Sequence, residues 1–211
     1  MLKKGLLVLA IFALVATGAF AQMQMSYGGG VLFDMSLGNG VAYDGTEFMS
    51  TSNNSFGVYG FYDVGYAEID IYFSYGVGTI ESDTTKIVGS AGSKNQLDMS
   101  LTQIGFTLLG KYPINLGAFT LFPCIGIGYN LVLSAEQDGR SFSDAGDLSQ
   151  LGILGGVGID FPLSESMFIR GQALFQVRLP SKVMSDFISN SVFDTTLGFG
   201  PRIKIGVGFH L

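Results

Sequence analysis

Tryptophan is absent from the chain, and cysteine and histidine occur once each. No run of about 18 apolar residues follows position 21, which excludes a helical membrane span from the rest of the chain. The single Cys124 excludes an internal disulfide, so an exported chain must draw its stability from elsewhere. The single His210 leaves no second imidazole or cysteine pair for a metal cluster. Positive charge is scarce as well, at 11 Lys+Arg against 17 Asp+Glu. No basic stripe exists to hold nucleic acid or anionic head groups.

What is present divides into two segments. Residues 1–21 read as a signal peptide. Lys3 and Lys4 form a positive start, Gly5 to Ala16 is mostly apolar, and Ala19-Phe20-Ala21 fits the small-x-small cleavage pattern. Cleavage is expected between Ala21 and Gln22. It removes two lysines and no acid, leaving 9 Lys+Arg against 17 Asp+Glu and a net charge of −8. Residues 22–211 then form one domain. Mean hydropathy is +0.41, high for an exported chain, and 31 residues are glycine. An apolar chain without a spanning helix can satisfy its backbone in lipid in one other way, as a closed β-barrel.

Period-2 alternation, the strand signal, supports this. Ile203, Ile205, Val207, Phe209 and Leu211 share one parity against Arg202, Lys204, Gly206, Gly208 and His210. The stretches 167–179 and 66–78 alternate in the same way. Weaker versions cover Met23–Ser36, Phe56–Tyr66, Phe119–Leu133 and Leu151–Phe161. An eighth, Asp98–Tyr112, changes apolar parity between Leu101 and Ile104, which predicts a bulge shifting its register by one. Eight strands of roughly ten residues or more can each cross a bilayer when tilted. The expected fold is all-β: an eight-stranded antiparallel up-and-down transmembrane barrel. The connections 37–55, 79–97, 134–149 and 180–196 are long and polar, whereas those near 63–66, 112–117 and 162–166 are short. That asymmetry predicts long outer loops, short periplasmic turns and both termini in the periplasm.

A soluble lipocalin-like barrel would turn the same alternation inside out. Three features favour lipid outside. The apolar parity is almost free of charge. The opposite parity is rich in glycine and poor in lysine, which suits a crowded lumen. Tyr27, Tyr62, Tyr66 and Tyr112 fall near one set of strand ends, with Tyr75 and Tyr129 near the other, as interfacial aromatics do.

The last residues, Lys204, Gly206, Phe209 and Leu211 at their spacing, resemble the C-terminal assembly signal of bacterial outer-membrane proteins, with Leu211 in place of the usual Phe. The mature chain resembles small eight-stranded barrels of the OmpA, OmpX and OmpW kind. The resemblance implies an outer-membrane location, the barrel-assembly machinery and periplasmic chaperones as partners, outer-membrane lipid as surroundings, and a monomer.

Inward-facing charges are sorted by strand: Asp63, then Glu68 and Asp70, then Asp160, with Arg170 and Arg178, then Arg202 and Lys204, on the last two strands. The third and seventh strands face each other across a ring of eight, so acids on one wall can meet bases on the other. This network is either a structural plug or a charged gate; the cost of unpaired buried charge favours the plug. Tyr59, Phe61, Tyr72, Phe122, Leu154 and Leu174 also face inward. They either pack against lumen glycines or line a pocket for small hydrophobic molecules. Enzyme readings lack support. No nucleophile and orienting acid can be placed beside His210. Gly28-Gly29-Gly30 lies inside a strand rather than before a helix, and no cofactor is expected. The acidic stretch from Asp138 to Asp147 lacks calcium-loop spacing. The expected roles are therefore structural or surface-interacting, through loops that meet an extracellular ligand, or, alternatively, a conduit or binder for small hydrophobic molecules.

Overall fold

The computed structural model describes residues 25–43, 46–88, 92–137, 140–141, 145–180 and 193–211. The expected signal peptide and its cleavage site at Ala19, Ala21 and Gln22 lie outside the described residues. Eight long strands carry the fold: β1 (Ser26–Tyr43), β2 (Thr46–Asp63), β3 (Ala67–Asp83), β4 (Lys94–Lys111), β5 (Thr120–Gln137), β6 (Gln150–Pro162), β7 (Met167–Arg178) and β8 (Gly198–His210). Each pairs antiparallel with its sequence neighbour. β1 pairs with β8 from Ser26↔His210 to Leu37↔Phe199, and this ladder closes the ring. Closure leaves no edge to present unpaired backbone groups to lipid.

Both described chain ends and the short turns lie at one end of the barrel, called here the short-turn end. Two turns use the same device. Asp63 Oδ1 accepts from Gly65 N at 2.7 Å, and Asn115 Oδ1 accepts from Gly117 N at 2.8 Å. Gly65 and Gly117 have φ of 89° and 84°, a left-handed conformation that a side chain would disfavour. The third turn is closed by bonds from Leu163 N and Ser164 N to Met167 O.

The alternation resolves as lipid-facing outside. Ile69, Ile71 and Phe73 on β3, and Ile203, Ile205 and Val207 on β8, are exposed on the outer surface, while the intervening residues are buried. A soluble ligand-binding barrel would bury the apolar parity instead. Tyr62, Tyr66 and Tyr112 stand exposed at the short-turn end and Tyr75 and Tyr129 further up, bounding an apolar band. About ten tilted residues lie between these levels, which matches a band of roughly 25 Å.

Two expectations need correction. Much of what the sequence suggested as outer loop is strand. β1 runs to Tyr43 and β2 starts at Thr46, so 37–55 is a long hairpin. β3 and β4 likewise extend through 79–83 and 94–97, with a helical turn at Thr85–Val88 between them. β5 continues to Gln137, and a 3-10 turn at Ala145–Leu148 packs near it. Of 180–196, the segment 181–192 lies outside the described residues, while Phe193–Thr196 pairs with Gly40–Tyr43. Above the lipid the outer strand face no longer has to be apolar, so the ladder persists without a regular apolar alternation to reveal it.

The bulge is the second correction. β4 pairs with β3 without interruption from Lys94 to Gly110. Its register with β5 shifts between Thr102 and Gln103, whose partners are Ser134 and Val132, so the extra residue lies on β5. Met99 and Leu101 therefore keep the inward parity of Gln103, Thr107, Leu109 and Lys111. They pack inside with Val132, Ala135 and Ala145. The change of apolar parity reflects an apolar lining at the long-hairpin end, not a flip of the strand.

Candidate functional site

The bore is filled in two tiers. The lower tier lies toward the short-turn end and centres on Arg170 of β7. Its Nε and Nη2 donate to both oxygens of Asp160 on β6, at 2.7 and 2.6 Å. Its Nη1 donates to Glu68 Oε2 on the opposing β3 at 2.6 Å, and Nη2 reaches Asp63 Oδ2 on β2 at 2.8 Å. The planar fork of a guanidinium suits such divergent carboxylates. Lys111 pairs with Asp63 and lies 3.7 Å from Glu68. Lys204 pairs with Asp70 at 2.5 Å and lies 3.4 Å from Glu68. Gln172 donates to Glu68 Oε1 at 2.7 Å. Arg170 is 1% exposed and Glu68 0%, so these charges are withdrawn from water and held by one another.

Aromatic rings close the space around the charges. The Arg170 guanidinium lies 4.5 Å from the Phe61 ring centre, 5.0 Å from Phe168 and 5.1 Å from Phe122. Facing glycines make room for these rings. A Cβ on Gly158 would overlap Phe122, one on Gly208 would overlap Phe168, and one on Gly105 would overlap Tyr72. Six inward apolar residues expected from the sequence, Tyr59, Phe61, Tyr72, Phe122, Leu154 and Leu174, are all buried.

The upper tier holds Asp34 of β1 between two guanidiniums. Arg178 and Arg202 each donate to it at 2.6 Å. Arg202 also donates to Tyr72 Oη at 2.8 Å and stacks 4.5 Å from that ring. Tyr72 in turn donates to Asn130 Oδ1. Above this tier the bore widens into a cavity of about 140 Å³. Arg178, Gln103 and Asn130 contribute polar groups to it, and Met49, Ile80, Met99, Leu101 and Val132 an apolar lining.

All eight charges singled out from the sequence point inward, but they do not form one network. Asp63, Glu68, Asp70, Asp160, Arg170 and Lys204 meet in the lower tier. Arg178 and Arg202 do not reach those acids; they meet Asp34, which sequence reasoning missed. Lys111 was missed too. The parity rule would have found both: Asp34 alternates with Phe33 and Met35, and Lys111 continues the parity of Thr107 and Leu109. Among the described residues the lower tier has four carboxylates and three cations, and the upper has one carboxylate and two cations. Each tier is unbalanced by one charge, and together they are neutral.

At the chain terminus Gly206 faces inward toward Tyr59 Oη, and Phe209 faces outward 5.8 Å from the Tyr27 ring. Leu211 N donates to Met25 O at 2.9 Å, which ties the last residue to the first described one. His210 lies 4.8 Å from the Phe168 ring at the short-turn end. Cys124 is buried. No group of three or more potential metal ligands occurs among the described residues. Half of the acidic stretch from Asp138 to Asp147, residues 138–139 and 142–144, lies outside them.

No protein-family model and no curated protein matches the chain. Solved structures do. The outer membrane protein OprG from Pseudomonas aeruginosa is 15% identical with a TM-score of 0.49, covering 90% of this chain and 96% of that one. Neisserial surface protein A is 9% identical with a TM-score of 0.47, covering 88% and 97%. Ail of Yersinia pestis, in complex with the heparin analogue sucrose octasulfate, is 15% identical with a TM-score of 0.41, covering 90% and 100%. The similarity is to small outer-membrane β-barrel proteins.

Proposed function

We propose that the protein is a monomeric outer-membrane barrel closed to through-passage, with a structural or surface-interaction role. The long-hairpin end faces outward and both termini face the periplasm. The observation that carries this reading is the ion-pair net across the bore, in which Arg170 joins β7 to Glu68 on the opposing β3 at 2.6 Å. A narrow bore crossed by paired charges and packed rings offers solutes no path, and eight-stranded interiors are just wide enough for side chains to fill. The long hairpins and their tips are then the surface offered to an extracellular ligand. Assembly would use the terminal strand, read by the barrel-assembly machinery after delivery by periplasmic chaperones. Purified protein in planar lipid bilayers should show no steady conductance. Steady single-channel steps from the unaltered chain would overturn the closed reading.

A second reading is favoured by one observation, the apolar cavity of about 140 Å³ above the upper tier. It makes the long-hairpin end a binding site for a small apolar molecule without requiring a passage below it.

A further inference from the structure

We propose that this cavity binds a small organic anion with an apolar body, about the size of a single aromatic ring bearing a carboxylate, with Arg178 holding the charge. The inference rests on the second reading above, that the cavity is a ligand site, and adds the ligand's chemistry.

Size sets the body. A cavity of about 140 Å³ is close to the roughly 150 Å³ of an engineered apolar cavity that accepts benzene. Met49, Ile80, Met99, Leu101 and Val132 line it and would take an apolar ring. Charge sets the head. Among the described residues, Asp34 is the one carboxylate recorded for both Arg178 and Arg202. Arg202 is the deeper partner, engaged by Tyr72 through both a hydrogen bond and its ring. Arg178 lines the cavity. Among the described residues its Nη2 donates to Asp34 at 2.6 Å and reaches Gln176 Oε1 at 3.4 Å, and its Nη1 reaches Met35 O at 3.4 Å. A guanidinium carries five N–H donors, so capacity remains on a side chain at the cavity. Counted over the described residues this buried cation has half a share in one carboxylate, and an anion entering the cavity would complete it with charge-assisted hydrogen bonds. Further in, the lower tier has one carboxylate in excess. An anion would be repelled there and would stay in the cavity.

The test uses the whole mature chain in detergent micelles at neutral pH, labelled with 13C at the methionine methyl groups. Met49 and Met99 line the cavity, while Met25 and Met167 lie at the short-turn end. The probes are benzoate and its neutral isostere benzamide. Benzoate should shift the Met49 and Met99 methyl signals and leave Met25 and Met167 in place. Benzamide should bind about tenfold more weakly or worse, as expected when a hydrogen bond to a charged group is lost. Arg178→Gln should reduce benzoate binding to the benzamide level. Leu101→Phe, which fills the cavity and spares the ion pairs, should abolish both, and it keeps the test decisive if Arg178→Gln fails to fold. Equal binding of the two probes, or unchanged benzoate binding by Arg178→Gln, would overturn the anion inference and leave the cavity reading standing. No shift with either probe, or equal shifts at all four methionines, would overturn both.

Discussion

Between the short turns and Tyr72 the bore holds four carboxylates, three cations and the rings of Phe61, Phe122 and Phe168. Between Asn130 and the long hairpins, among the described residues, it holds one carboxylate, two guanidiniums and a cavity of about 140 Å³. The lower half lies within the apolar band, where a polar group can meet only other side chains. There Arg170 meets three carboxylates and Glu68 three cations, Asp63 meets two cations, Asp70 and Asp160 one each, and glycines let the rings close around them. The upper half rises past Tyr75 and Tyr129, where strands have water on their outer face and the interior no longer has to be sealed. Filling is therefore strictest nearer the short turns, and a cavity is left toward the long hairpins.

The contrast breaks most visibly at Arg170. Arg170→Ala leaves Glu68, Asp63 and Asp160 without their shared cation, and should cost about 3–5 kcal/mol if the site stays dry. Urea unfolding in micelles would show it as a lower midpoint at constant slope. Adding Glu68→Ala should recover part of the loss, as a double-mutant cycle measures. Additive losses would mean that the lower tier is not a coupled unit.

A smaller effect separates two leucines. Leu154 is 0% exposed in the lower core cluster, whereas Leu101 borders the cavity. Leu154→Ala should cost about 2–5 kcal/mol. Leu101→Ala should cost less than half of that, because a side chain beside empty space has fewer contacts to lose. Equal midpoints for the two variants would show that the upper half is packed as tightly as the lower.

The smallest effect belongs beyond the band, at the β3–β4 tip. A hydrogen bond from Thr85, and then the Lys94 ammonium 3.1 Å away, hold the Asp83 carboxyl below its usual value of 3.8. A carboxyl depressed on folding stabilises the tip above its unfolded pKa and loses that contribution as pH falls through the folded one. Amide protection at Thr84 and Ser93, which bond each other across the tip, should fall in acid when exchange is measured relative to the intrinsic rate at each pH. Asp83→Asn should remove that pH step while leaving the barrel's midpoint unchanged. A persistent step would assign it to another group.

Within the apolar band the strands were legible in the sequence, because lipid on one side and a filled lumen on the other force period 2 on every strand. Inward charges such as Glu68, Arg170 and Lys204 followed from parity alone. Beyond the band that pressure ends. The extensions of β1 to Tyr43 and of β2 down to Thr46 are strand by backbone pairing, which the Ser- and Asn-rich residues there do not announce. Met99 and Leu101 misled for the same reason, since apolar residues that line a cavity look like residues that face lipid. Partner choice was also beyond the sequence. Asp34 meets Arg202 because ring closure sets β1 beside β8, and it meets Arg178 because β7 is the next strand round. What the sequence by itself determined was the side of the wall on which each residue of the band lies, a property of local alternation. Only the closed ring decided which charges touch and where room is left, because those depend on strand stagger and side-chain reach across the bore.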